Sequence, residues 1–368
     1  MAELHMDSHR GGLEAADRYL DRIDIFQLEI SNFCNADCFH CVRTEAQSKY
    51  LNSQFLPQSI FERLLDNRWG QNLSQIEFCG TIDEPLAHPN FLEILRIILH
   101  HNPRLRILIH TNGSLRHPEY YAELADILNS YERPGVLRFS IDGLARSHYL
   151  YRGLNNFDDI LQNARSFNSA GGVSIWQMIE FGWNSNEILR AKALAESAGF
   201  GKFILRQNRG KDVADPELER SARQANPNLG WIKPYQVQKQ KPTNLSIDNP
   251  YANTKLNIQC HFRTERKMFL DHQGYVWPCC FLANPTWRTK REQWEMNKKL
   301  WKTYGMNFNS LLHHDLETIL KSPWFESELT KSWSQPHTTE SGCFAKCIKT
   351  CNNNEAQFEH KLQDLGKA

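Results

Sequence analysis

No apolar run in this 368-residue chain approaches the roughly 20 residues needed to cross a bilayer. A helical membrane protein is thereby excluded. Neither sign of charge is in excess: 43 Lys and Arg stand against 42 Asp and Glu, a formal net charge of +1. No broad basic face for nucleic acid is expected, although a small local patch remains open. The polar stretch from Met1 to Asp24 lacks the apolar segment of a secretory signal. Cysteine is nearly absent from the middle of the chain, where Cys79 alone lies between Cys41 and Cys260.

What is present fits a soluble globular protein, with 40% hydrophobic and 23% charged residues. The length allows two or three domains and a core that needs no disulfides. Without an export signal, the ten cysteines are expected in the reducing cytoplasm. Grouped thiols there mean metal more often than disulfides. Three of them sit early, at Cys34, Cys38 and Cys41. Six sit late, at Cys260, Cys279, Cys280, Cys343, Cys347 and Cys351. Two separate metal sites on two structural units are implied.

From Asp24 to Arg206 the pattern reads as strand-then-helix units. Strands are predicted at Ile25–Ile30, Gln75–Cys79, Arg106–His110, Val136–Ile141, Val173–Ile179 and Phe203–Arg206. Helical stripes fall at Ile60–Leu65, Phe91–Leu99, Tyr121–Leu128, Phe157–Phe167 and Ile188–Ala195. The alternation calls for a mostly parallel sheet with right-handed crossovers. Six strands are too few for a closed eight-stranded barrel. The expected fold is therefore α/β, a partial (β/α)6 TIM-type barrel over 24–206, with ligands at the carboxyl ends of its strands. A polar extension occupies 1–23, and a Pro-punctuated polar connector occupies 207–257. A small unit over 258–368 carries a hairpin, Lys267–Leu270 and Tyr275–Trp277 around Gly274, and helices near Asp315–Leu320 and Trp324–Trp333. Trp176, Trp183, Trp277 and Trp287 are expected in the core.

Cys34, Cys38 and Cys41 follow the first strand directly, on a loop at its carboxyl end. Spacings of three and two residues let a short loop wrap three thiolates around one corner of a cluster. Three ligands leave a position open, whereas structural zinc needs a fourth, for which His40 is nearest.

This Cys-x3-Cys-x2-Cys loop resembles that of the radical S-adenosylmethionine (SAM) superfamily. Gly80-Thr-Ile-Asp-Glu84-Pro85 resembles that family's glycine-rich motif, which holds the methionine amino group of SAM, although the usual second glycine is missing. Thr111-Asn112-Gly113 ends the third strand, as is common there. Ser140-Ile-Asp142-Gly143 is similar to the segment that meets the ribose and carboxylate of SAM. Arg152 stands where relatives carry an arginine near that carboxylate, and His40 where a side chain lies by the adenine. The resemblance implies a 4Fe–4S cluster with one open iron that chelates SAM. Reductive cleavage would then yield a 5′-deoxyadenosyl radical that abstracts hydrogen from a substrate. An electron donor such as flavodoxin or ferredoxin is implied.

Cys260, Gly274-x4-Cys279 and Cys343-x3-Cys347-x3-Cys351 resemble the auxiliary-cluster extension called SPASM, or its shorter form, twitch. Only six cysteines are available and the usual Cys-x2-Cys-x5-Cys run is absent, so the resemblance implies one auxiliary 4Fe–4S cluster. Cys260, Cys279, Cys343, Cys347 and Cys351 are its candidate ligands, one of them spare. Structural zinc on the same thiols is the alternative. Cys280 is read as a packing or turn residue and Cys79 as a buried small residue. Expected reactions are peptide modification or small-molecule dehydrogenation, of oxidoreductase type. Alternatives are radical methyl transfer, rearrangement, or a zinc-binding module without turnover. About 24 residues precede the first strand, so a fused leader-binding domain of roughly 80 residues is not expected.

Overall fold

A computed structural model describes residues 22–36, 38, 41, 53–79, 82–153, 155–208, 256–283, 291–336, 343–352 and 363–364. Nearly all of the expected extension and of the connector, with His40, Gly80 and Trp287, lie outside the described residues.

Strands and helices alternate as β1 (Ile25–Leu28), α1 (Ser59–Leu65), β2 (Gln75–Phe78), α2 (Phe91–His101), β3 (Arg106–Thr111), α3 (Pro118–Asn129) and β4 (Val136–Ser140). They continue as α4 (Ala145–Arg152), α5 (Phe157–Ser169), β5 (Val173–Glu180), α6 (Ile188–Ser197) and β6 (Lys202–Gln207). The six strands pair in parallel in chain order, the arrangement of a partial TIM-type barrel. The period of two explains their layering. Phe26, Leu28, Ile76, Phe78, Ile107, Ile109, Leu137, Phe139, Trp176 and Met178 point to the helices and are fully buried. Each such side chain contributes roughly 1.5–3 kcal/mol by leaving water. The alternate positions are mixed: Gln27, Glu77, His110, Arg138 and Gln177 stand among Leu108, Val136, Ile175 and Ile204.

The hairpin forms as expected, as β7 (Lys267–Leu270) and β8 (Val276–Trp277). Its placement is not local. β7 adds in parallel to β1, with Phe26 beside Met268 and Leu28 beside Leu270. The described sheet thus has nine strands in the order β8-β7-β1-β2-β3-β4-β5-β6-β9, where β9 is Gln363–Asp364. The physical reason is an unpaired edge: β1 carries free N–H and C=O groups, and an apolar Met-Phe-Leu strand satisfies and covers them. Asp271 locks the turn, its Oδ1 accepting from Gln273 and Tyr275 N–H and its Oδ2 from Trp277 Nε1. Trp176, Trp183 and Trp277 are core residues.

α4 has no apolar stripe and escapes periodicity. It starts instead from local chemistry. Gly143 adopts φ +119°, a conformation that favours glycine. Leu144 N–H is then shared between Ser147 Oγ and Glu187 Oε2, and the Ser147 hydroxyl also bonds Glu187.

Candidate active site

The three early cysteines converge on one cavity of about 200 Å3 at the carboxyl ends of β1 to β4. Glu84, Ser140 and Arg152 line the same cavity, as do Cys79, Asp83, His110, Thr111 and Asn112. The cysteine loop is pinned from several strands. Asp83 Oδ2 accepts from the N–H groups of Ile30 and Ser31 at 3.0 and 3.2 Å. Glu84 N–H donates to Phe33 C=O at 2.8 Å. Asn112 Nδ2 donates to Asn35 Oδ1 at 2.8 Å and lies 3.7 Å from Cys34 Sγ. Arg152 Nη1 lies 3.8 Å from Cys38 Sγ. Burial pushes the Cys38 thiol up, and Arg152 opposes that shift.

Glu84 is 2% exposed. Its Oε1 accepts from Thr111 Oγ1 at 2.6 Å and its Oε2 from Asn112 N–H at 2.7 Å. Burial still raises its pKa to about 7, against the lowering by these donors. Pro85 starts a buried 3₁₀ turn, Pro85–Ala87, behind it. Asp142 is fully buried below Arg152. Its Oδ2 accepts from Arg152 Nε and its Oδ1 from Ile179 N–H, both at 2.6 Å. Burial alone would lower the Arg152 pKa; Asp142 and Cys38 raise it instead.

Spacing and resemblance did not assign Asp83, His110 or Cys79 to this cavity. Asp83 lies in the Gly80–Pro85 segment, where a second carboxylate beside Glu84 was the available signal. His110 lies one residue before the end of β3, on the polar face, which strand period alone could have marked. Cys79, expected as a packing residue, is half-buried at the cavity wall, its thiol donating to Leu28 C=O at 3.4 Å.

The late cysteines form a second group. α8 (Ala345–Cys351, following α7, Arg291–Tyr304) places Cys347 and Cys351 four residues apart, on one helix face. Gln259 N–H donates to Cys351 C=O at 2.8 Å, bringing Cys260 alongside. The Cys260 and Cys351 thiols are hydrogen-bonded, as are those of Cys343 and Cys347. The Cys351 contact lowers Cys260 to about 7, whereas Cys279 is pushed up by burial and by its neighbours Cys280 and Cys260. Burial and Glu29 raise Cys280 to about 12, with Lys267 and Lys346 nearby.

A buried polar link joins the hairpin to the first site. His272 Nδ1 and Glu29 Oε1 lie 3.2 Å apart, and Glu29 Oε2 accepts from Ile82 N–H at 3.2 Å. Burial and Asp271 both raise the Glu29 pKa.

Residues 28–189 match the domain family described as the Radical SAM superfamily. Such a domain implies a 4Fe–4S cluster and SAM. Among solved structures, the chain is similar to SuiB of Streptococcus suis bound to S-adenosylmethionine, with a TM-score of 0.50 and 14% identity over 88% of this chain and 76% of that one. SuiB bound to its precursor peptide SuiA gives 0.50 and 13%, over 88% and 75%. Native anSMEcpe with bound AdoMet and the Cp18Cys peptide gives 0.50 and 15%, over 86% and 84%. At these identities the likeness is one of fold. No curated protein matches the sequence. Among the described residues, no helix is long and apolar enough to cross a membrane.

Proposed function

We propose that this protein is a cytoplasmic radical SAM enzyme that holds a 4Fe–4S cluster on Cys34, Cys38 and Cys41 and abstracts hydrogen from a peptide or small-molecule substrate. One observation carries the reading: a three-thiol loop, a buried Glu84 and an Asp142-braced Arg152 meet at a single cavity. The fit to a cluster rests on the donor set. Three thiols, Cys34, Cys38 and Cys41, line one space. Three donors are one short of a closed tetrahedral site and suit a cluster with one iron left to a chelating ligand.

When bound, the cluster and SAM supply one-electron C–S cleavage and hydrogen-atom abstraction. The chain's own part is positional. Arg152, fixed through Nε by Asp142, presents its remaining N–H groups to a carboxylate. Glu84, held by Thr111 and Asn112, offers negative charge to an ammonium group. Ser140 lies on the same rim, and the resemblance adds His40, Gly80 and the Pro85 turn. The five grouped thiols at Cys260, Cys279, Cys343, Cys347 and Cys351 fit one auxiliary 4Fe–4S cluster of twitch type, with one thiol spare and Cys280 outside the set. That cluster would take an electron from the substrate, giving an oxidoreductase. SuiB and anSMEcpe, which bind peptides, support a peptide as substrate, and a flavodoxin or ferredoxin is the fitting electron donor.

The test is direct. Replacing Cys34, Cys38 and Cys41 by Ala is expected to abolish 5′-deoxyadenosine formation under dithionite, and persistence of that product refutes the site. Replacing Cys260 and Cys279 should remove roughly four irons, one cluster's worth, while some SAM cleavage survives. An unchanged iron count refutes the auxiliary cluster.

A further inference from the structure

The inner face of a TIM-type sheet is ordinarily filled by branched apolar side chains. Here it is charged. Arg138 of β4, Arg206 of β6 and Lys267 of β7 share this face with His110 of β3, and all three cations act electrostatically on that imidazole. Their side chains hold each other in place: Arg138 Nη1 lies 3.5 Å from His110 Nε2, and Arg206 Nε donates to Gln177 Oε1 at 2.7 Å.

Among the described residues the face carries more positive than negative charge. Lys267 Nζ contacts Glu77 Oε2 at 2.5 Å, and Gln75 Nε2 donates to Glu77 Oε1 at 2.6 Å, so the Glu77 carboxylate is engaged at both oxygens. Arg206 and Arg106 repel Arg138, and the attraction of Glu77, shared with Lys267, opposes them. Arg138 Nε is buried without a hydrogen-bond partner among the described residues. His110 supplies no compensation, since burial and the three cations hold it neutral, with a pKa of about 3. A sheltered guanidinium N–H without an acceptor costs free energy, and folds tolerate that where a ligand supplies the acceptor. The same His110 lines the cavity of the three cysteines, so the cationic group adjoins the place where hydrogen abstraction is proposed.

We infer that the barrel interior beneath the cysteine cavity is an oxyanion subsite, in which Arg138 and Arg206 bind a carboxylate or phosphate group of the substrate. The inference rests on the radical SAM reading for the meaning of "substrate", and it narrows that substrate to an anion. Arg152 is set apart from this subsite by its ion pair with Asp142 at 2.6 Å.

The experiment is calorimetric titration of the full, cluster-reconstituted chain at low ionic strength, with and without SAM, using inorganic phosphate and glutarate as separate probes. Saturable 1:1 binding of at least one probe is expected. Arg138→Gln and Arg206→Gln should each weaken it tenfold or more, and Arg138→Lys should retain most of it. Binding of phosphate alone assigns a phosphoryl group, and binding of glutarate alone a carboxylate. Thermal melting identifies any variant that fails to fold, in which case the conservative Arg138→Lys and a Lys267→Gln variant carry the comparison. No saturable binding, equal affinity in wild type and Arg138→Gln, or loss on Arg152→Gln alone overturns the subsite. Equilibrium dialysis of SAM on the same preparations separates the two readings. Protein that takes up the anion but not SAM refutes the radical SAM reading alone; protein that takes up SAM but no anion refutes the subsite alone.

Discussion

Asp142 has no oxygen to spare: one is bonded to Arg152 and the other to the Ile179 N–H. Its own N–H donates to His148 Nδ1 at 3.2 Å. His148 is fully buried, and burial, with Arg152 nearby, lowers its pKa to about 3. The folded state therefore binds fewer protons at His148 than the unfolded state does between pH 6.5 and about 3. Stability from this group is fully present above pH 6.5 and is lost as pH falls through that window. At pH 5 the loss is roughly 2 kcal/mol. His148→Asn keeps an acceptor for Asp142 N–H and cannot titrate. Urea unfolding at pH 7.5 and 5.0 should show a shallower fall for the variant than for wild type, and parallel curves would mean that His148 is protonated without cost. Of the residues lining this cavity, Cys34, Cys38 and Cys41 were named from their spacing, and Glu84 and Arg152 from the family resemblance. Asp83 and His110 were not, because a cavity wall is composed by neighbouring strands in register, which no single segment reveals.

Elements follow the same division. β1 to β6 and five of the helices were legible from apolar periodicity, within two residues at their ends except for α3, which starts three residues early, and Leu189 of the last stripe is exposed. α4 was illegible: Ala-Arg-Ser-His-Tyr-Leu-Tyr-Arg has no such stripe. Its start depends on a glycine turn and a serine cap, yet it delivers Arg152. Gly143 is the weak point. A Cβ at its φ of +119° would stand 2.1 Å from Ser147 Oγ and 3.1 Å from Glu187 Oε2, the two groups that receive Leu144 N–H. Gly143→Ala thus combines backbone strain with loss of the helix start. A destabilisation of at least about 2 kcal/mol in urea unfolding is expected, with weaker SAM retention because Arg152 moves with α4. A variant as stable as wild type would show that the turn relaxes freely.

At the scale of the molecule, net charge and chain order were both poor guides. A balance of +1 conceals the cationic interior, where, among the described residues, Glu77 offsets only part of the charge of Arg138, Arg206 and Lys267. The hairpin was legible as a hairpin, but its partner was not, since pairing with β1 spans some 240 residues, as from Leu28 to Leu270. The consequence is that the cysteine loop grows from a strand whose far edge the C-terminal part completes. Met268, Phe269, Leu270 and Trp277 are all fully buried in the one core cluster that also holds Phe26 and Leu28. Removing residues 256–368 would uncover these neighbours, unpair the β1 edge and break the Glu29–His272 contact. At roughly 1.5–3 kcal/mol per buried side chain, four lost side chains approach the whole stability of a typical domain, about 5–15 kcal/mol. The truncated chain is expected to bind a hydrophobic dye, to aggregate, and to lack a cooperative unfolding transition. A fragment ending at Asn208 that unfolds cooperatively, at a urea midpoint close to that of the full chain, would mean that β7 merely rests against a barrel that is stable without it.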